Sequence, residues 1–216
     1  MKDNKIITRF QSKLTASLEV MILGPLPLEK DHNKDLIPQI FVDGGIGHQK
    51  EIKLSKDHIS IGDGDSAQNQ KLNFTVSRIK NYSDLALALK IVGHRCQTIY
   101  LNGFIASNTI ENRYDHFLAN LGESYQWSKV YKGFIWLNSH FVILPKGIHH
   151  FFHQGPFSLL SIEETDIKIE GEIEYHVLQN IKLKPMSSQG ISNKAFGNVI
   201  ITINRPILLI LDWGKS

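Results

Sequence analysis

Gln39-Ile40-Phe41-Val42-Asp43-Gly44-Gly45 decides the fold: a short apolar run that stops at an aspartate and two glycines. The pattern recurs along the first half of the chain. His58-Ile59-Ser60-Ile61 runs into Gly62-Asp63-Gly64-Asp65-Ser66, and Phe74 to Ile79 runs into Lys80-Asn81-Tyr82-Ser83-Asp84. Gln97 to Leu101 runs into Asn102-Gly103, with its acid later, at Asp115. Short apolar strands that each end in a polar, glycine-containing turn predict an open parallel sheet. Such sheets bind ligands outside the carboxyl ends of their strands. Carboxylates gathered on one edge repel one another unless a cation lies among them, and Mg²⁺ carrying a phosphorylated substrate suits hard oxygen donors. Nucleotide chemistry is the expectation.

Composition removes several classes. The 216 residues accommodate one large domain or two small ones. Lys and Arg number 24 against 21 Asp and Glu, a net charge of +3, and they are scattered, so no nucleic-acid partner is expected. The single cysteine, Cys96, excludes an internal disulfide and fits a reducing compartment. Met1 to Lys5 leads into no long apolar segment, and the longest aliphatic run is Ile207 to Leu211. A cytoplasmic protein without membrane spans is expected.

The texture changes near residue 125. Before it, strands alternate with helical patterns, as in βαβ units. Ser83 or Asn81 can cap a helix beginning at Asp84, and Tyr114, Phe117, Leu118 and Leu121 fall at i, i+3, i+4, i+7 on one helical face. Residues 24–38 are polar with three prolines and read as a loop or frayed helix. After Gly122 no comparable helix is expected. Short strands are expected at Phe134–Leu137, His140–Leu144, Phe157–Ile162, Ile167–Ile169, Tyr175–Leu178, Asn198–Ile203 and Pro206–Leu211, in an antiparallel sandwich or barrel. The expected division is an α/β domain over 1–127 and an all-β domain over 128–216.

Each motif has a plain reading beside its functional one. Asp-Gly pairs are common in turns, but here each closes an apolar run. Asp63 and Asp65 lack the later ligands of a calcium loop, and there is neither a Walker A sequence nor a Gly-x-Ser-x-Gly elbow. Arg113-Tyr114-Asp115-His116 opens a helix, where free N–H groups favour an anion. His149, His150 and His153 lie among aromatics and glycines, so strand and loop are expected there rather than a helical zinc site. Cys96 follows His94 and Arg95, and a buried structural role is expected over a reactive thiolate.

Taken in order, these motifs resemble those of thiamine pyrophosphokinases. Asp43-Gly44-Gly45 is similar to the family's Asp-Gly-Gly, and Gly62-Asp63-Gly64-Asp65-Ser66 to its Gly-Asp-Phe-Asp-Ser. Lys80-Asn81-Tyr82-Ser83-Asp84 resembles Lys-Asp-x-Thr-Asp, and Arg113, Asp115, His116 and Asn120 match Arg-x-Asp-His with its following Asn. Farther on, Phe157 to Leu160, Tyr175 and Gly190-Ile191-Ser192-Asn193 resemble a first strand, an aromatic and a Gly-x-Ser-Asn turn of the family's thiamine-binding domain.

The resemblance implies a Rossmann-like α/β domain followed by an antiparallel β-sandwich, and a homodimer with active sites between subunits. It implies transfer of pyrophosphate from ATP, with Mg²⁺, to the thiamine hydroxyl. Asp43, Asp63, Asp65 and Asp84 are then the Mg²⁺ ligands, directly or through water. Arg113 and Lys80 hold phosphates, Ser83, Asp115, His116 and Asn120 belong to the nucleotide site, and Asp65 or Asp84 takes the hydroxyl proton. Across the subunit boundary Tyr175 stacks on the aminopyrimidine, while Ser192 and Asn193 bond its polar edge. Some positions depart from the pattern: Gly64 replaces Phe, Asn81 replaces Asp, and Glu111-Asn112 replace a glycine pair before Arg113. Two alternatives stay open: a nucleotide- or thiamine-binding relative without turnover, and a pyrophosphokinase for another heterocyclic alcohol.

Overall fold

The computed structural model describes residues 2–29, 36–64, 72–77, 81–105, 114–174 and 180–211. The chain divides into two compact units, Met1–Trp127 with Trp136–Ser139, and Ser128–Ile135 with His140–Ser216.

The first unit is built on parallel strands. β1 (Glu19–Leu23), β2 (Gln39–Val42), β3 (His58–Gly62), β4 (Phe74–Thr75) and β5 (Thr98–Asn102) lie in the order β5-β1-β2-β3-β4, and every pairing is parallel. The open parallel sheet expected from the turns is present. The strand between β5 and β2, β1, is not one of the four repeats: Glu-Val-Met-Ile-Leu ends at Gly24-Pro25 without an aspartate. Strand alternation sends Met21, Leu23, Phe41 and Tyr100 into one buried cluster with Ile46 and Leu72, against which Leu28, Ile37, Ile52 and Trp136 pack.

Helix α2 (Asp84–Val92) packs against β2 and β3, burying Leu85, Ala88, Leu89, Ile91 and Val92. Ser83 is its N-cap, the hydroxyl accepting from the Ala86 N–H at 3.0 Å. Helix α1 (Lys2–Ser17) packs beside α2 and β1, and Gln11 donates to the Ile91 carbonyl at 2.9 Å. Among the described side chains of α1 only Phe10 and Leu14 are fully buried, a stripe too narrow to announce the helix in the sequence.

Helix α3 (Tyr114–Tyr131) continues through Gly122, where the helix was expected to stop. Its expected apolar face is buried only in part: Leu121 is 6% exposed, but Tyr114 is 68% and Leu118 57% exposed.

β6 (Phe134–Leu137) has residues in both units, and β7 (Phe141–Leu144) to β12 (Ile207–Leu211) belong to the second. β8 spans Gly147–Leu160, β9 Thr165–Ile173, β10 Ile181–Leu183 and β11 Asn193–Ile203. The second unit's strands run antiparallel in the order β10-β9-β11-β8-β12-β7. β8 starts far earlier than the expected Phe157, because its first half alternates exposed and half-buried residues instead of forming an apolar run. It pairs with β11 from Gly147 to Phe157 and with β12 from Phe157 to Leu160. β10 was not foreseen, and the strand expected at 175–178 lies outside the described residues. Among the described residues no helix is long and apolar enough to cross a membrane.

One hydrogen bond between β1 and β5 has a readable energetic signature. The Tyr100 hydroxyl donates to Glu19 Oε1 at 2.9 Å. Burial first, then that bond and the Glu19 charge, push the phenol from 10.0 up to about 12. The folded state therefore holds this proton more tightly than the unfolded chain does, so the contribution is complete below pH ~10 and is lost as pH rises through ~12. Tyr100→Phe should cost roughly 1 kcal/mol near neutral pH. In urea unfolding across that alkaline range the variant should lose less stability than the parent, and parallel profiles would contradict the assignment.

Candidate active site

The turns after β2 and β3 meet directly. Asp43 follows β2 with φ +46°, a left-handed backbone rare for a residue with a side chain, and it opens a 3₁₀ turn over Asp43–Lys50. Its Oδ1 accepts the Gly64 N–H at 3.1 Å. Gly62, at φ +155°, passes so close that a Cβ there would lie 2.9 Å from Asp43 Cα and 3.0 Å from its Oδ1. Asp63 thus sits between two residues that both touch Asp43. This pair of turns is the arrangement that Gly62-Asp63-Gly64 makes possible: two glycines supply the approach and the positive φ, and the aspartate between them stays at the edge.

Neighbouring strand ends are packed backbone against backbone. A Cβ on Gly45 would fall 2.2 Å from the Leu23 carbonyl oxygen, and one on Gly24 2.4 Å from that of Gly103. Gly24 N–H donates to Asn102 O at 2.8 Å, and Leu26 N–H to Gly103 O at 3.0 Å. The fully buried Asn102 side chain clamps Glu29 from both sides, accepting its N–H and donating to its carbonyl, each at 2.9 Å. Glu29 in turn accepts the N–H and hydroxyl of Ser139, both at 2.9 Å. Sequence reasoning missed Asn102 and Glu29, which fix the segment after β1 to the end of β5. The chain crosses from β4 back to β5 on the far side of β1, so this is the switch point of the sheet.

The other expected residues fall as follows. Asp84 stands in the first turn of α2, the helix that packs on β2 and β3, directly after its cap Ser83. Asp115, His116 and Asn120 lie in the first turns of α3, where Asp115 Oδ2 and His116 Nε2 are 4.0 Å apart and both side chains are exposed. Asp65, Lys80, Arg113 and Tyr175 lie outside the described residues.

Among the described residues no three His, Cys, Asp or Glu side chains form a metal cage. Mg²⁺ does not need one: one or two carboxylates suffice when water and substrate phosphates complete the shell. Asp43 and Asp63 stand on adjoining turns at this edge. The histidines of β8 do not adjoin in this way. His149 and His153 are four residues apart on an extended strand, about 13 Å. Their Nε2 atoms bond the carbonyls of Pro145 at 2.6 Å and Pro156 at 3.0 Å, and burial lowers the pKa of His149. Burial likewise pushes the Cys96 thiol up to about 12, despite Arg95 beside it, which makes it a structural cysteine.

Ser192 and Asn193 belong to the second unit and line a cavity of about 610 Å³ there. It opens where β8 passes from β11 to β12, since Phe157 pairs with both Asn193 and Leu211. Apolar walls come from Phe141, Phe157 and Ile210, and polar groups from His140, Ser158 and Glu174. The turn that delivers Ser192 is tightly held. Ser192 has φ +58°, its N–H donates to Ser158 Oγ at 3.0 Å, and the Asn193 amide donates to Gly190 O at 2.7 Å. A Cβ on Gly190 would meet the Leu159 carbonyl oxygen at 2.2 Å. Ser158 and Glu174 were missed as cavity residues. The first is hidden inside an apolar run, and the second belongs to no motif.

The strand-end contact makes a prediction about stability alone. Gly62→Ala should cost roughly 1–3 kcal/mol by forcing Asp43 aside, whereas Gly47→Ala, with nothing within 4 Å of the new methyl, should be near neutral. Equal midpoints in urea would show that the turns do not touch in solution.

No protein-family model and no curated protein sequence matches the chain. Solved structures do. Thiamine pyrophosphokinase from Bacillus subtilis is 20% identical with a TM-score of 0.70, over 90% of this chain and 99% of that one. The thiamin pyrophosphokinase of Geobacillus thermodenitrificans is 18% identical with a TM-score of 0.69, over 92% of this chain and all (100%) of that one. That of Candida albicans is 14% identical with a TM-score of 0.64, over 92% and 90%. This chain has the fold of the thiamine pyrophosphokinases.

Proposed function

We propose that the chain is a divergent thiamine pyrophosphokinase, transferring pyrophosphate from ATP to the thiamine hydroxyl and releasing AMP. The observation that carries this reading is the contact between Asp43 and the Gly62-Asp63-Gly64 turn at the carboxyl edge of the parallel sheet. The cavity at Ser192 and Asn193 supports it independently.

Asp43 and Asp63 hold Mg²⁺, with Asp65 and Asp84 as the remaining carboxylates of the set. Mg²⁺ held there would neutralise charge on the β- and γ-phosphates. Arg113 and Lys80 hold phosphates, and Ser83, Asp115, His116 and Asn120 belong to the nucleotide site. Thiamine's hydroxyl oxygen bonds to the β-phosphorus as the bond from that phosphorus to the α-bridging oxygen breaks. AMP leaves, and Asp65 or Asp84 takes the hydroxyl proton. Such transfers depend on alignment and charge placement more than on covalent help, and a rigid strand-end edge supplies both.

Tyr175 stacks on the aminopyrimidine, and Ser192 and Asn193 bond its edge. The Asn193 amide nitrogen is committed to Gly190, so its Oδ1 is the group available to a ligand donor. The site forms between the subunits of a homodimer, in the cytoplasm. A second reading, ligand binding without turnover, is favoured by Glu111 and Asn112 in place of a glycine pair, since a glutamate in that stretch carries the phosphate's own sign.

Asp43→Asn separates chemistry from folding. Asn tolerates the left-handed backbone and can still accept the Gly64 N–H, so the unfolding free energy should stay within about 1 kcal/mol of the parent's. Thiamine-dependent AMP release should fall at least roughly a hundredfold. Retained turnover in a folded variant would remove Asp43 from the metal site.

A further inference from the structure

The cavity of the second unit contains a charged pair that the proposed reaction leaves without a task. Glu174, just after β9, and Lys194, the second residue of β11, both line it beside Ser158, Ser192 and Asn193. Their backbones are joined, Glu174 N–H donating to Lys194 O at 2.9 Å. Their side chains are held loosely: Lys194 Nζ lies 3.7 Å from Glu174 Oε2, with exposures of 50% and 40%. A pair this long and this wet contributes little to stability and exchanges easily. Lys194 Nζ at the same time lies 5.0 Å from the centre of the Phe196 ring, within cation–π reach.

We infer that Glu174 is a specificity residue that selects a ligand ring bearing a fixed positive charge. Lys194 stands in the cation's place until the ligand arrives and is then held on Phe196 alone. The inference rests on the thiamine reading and adds which part of the ligand each group recognises. Ser192 and Asn193 bond the neutral aminopyrimidine, while Glu174 faces the cationic thiazolium. The cavity's apolar walls strengthen the attraction by keeping water from one side of the charge.

Calorimetric titration of the full chain tests this with two probes, thiamine and a neutral hydroxymethyl-aminopyrimidine that lacks the thiazolium. Glu174→Gln should weaken thiamine binding about fivefold and leave the neutral probe unchanged. Glu174→Asp, which keeps the charge, should retain most of the preference. Lys194→Met, which removes the competing ammonium, should tighten thiamine binding severalfold. Added salt should weaken thiamine binding to the parent and hardly affect Glu174→Gln. If the parent binds thiamine and Glu174→Gln binds it equally well, the role of Glu174 is overturned and the thiamine reading stands. If the parent binds neither probe, both fall together.

Discussion

The first unit depends on how closely the ends of its parallel strands approach one another. β1, β2, β3 and β5 finish in turns where backbone lies against backbone, and side chains at Gly24, Gly45, Gly62 or Gly103 would collide with carbonyl oxygens or with Asp43. Asp43 itself adopts a left-handed conformation that costs of order 1–3 kcal/mol and persists because its surroundings hold it. The Gly64 N–H on its carboxylate is part of that holding.

The second unit solves a similar problem with antiparallel strands. A long strand, β8, is shared between β11 and β12, and the cavity lies where it changes partner. A glycine again permits the approach: Gly190 packs on the Leu159 carbonyl, Ser192 takes a positive φ, and the Asn193 amide closes the turn. Polar groups are thereby fixed at the mouth of a mostly apolar hollow, an arrangement suited to a planar heterocycle with one hydrogen-bonding edge.

What was legible in the sequence follows from which signals are local. Apolar runs ending in Asp-Gly, Gly-Asp-Gly or Asn-Gly turns announce buried parallel strands, and so β2, β3 and β5 could be read directly. β1 was not, since Glu19 to Leu23 ends in Gly-Pro and carries no acid, although it is the strand between β2 and β5. α1 escaped because its buried stripe is two residues among those described, and the end of α3 because Gly122, with nothing within 4 Å of where its Cβ would be, is tolerated inside a helix. Half of β8 was missed because exposed His150 and Phe152 alternate with half-buried residues. At the site, the Asp43 and Asp63 turns and the Ser192-Asn193 turn were visible as short motifs. The Asn102–Glu29–Ser139 chain and the Glu174–Lys194 pair were not, because each joins residues far apart in sequence whose partnership exists only after folding.

The most direct test of the proposed pyrophosphoryl transfer is the product balance of purified protein given ATP, Mg²⁺ and thiamine, with products identified by mass. The account predicts AMP and thiamine diphosphate in equal amounts, and no AMP without thiamine. ATP and thiamine bound by folded protein with no AMP formed, or ADP formed instead, would contradict it.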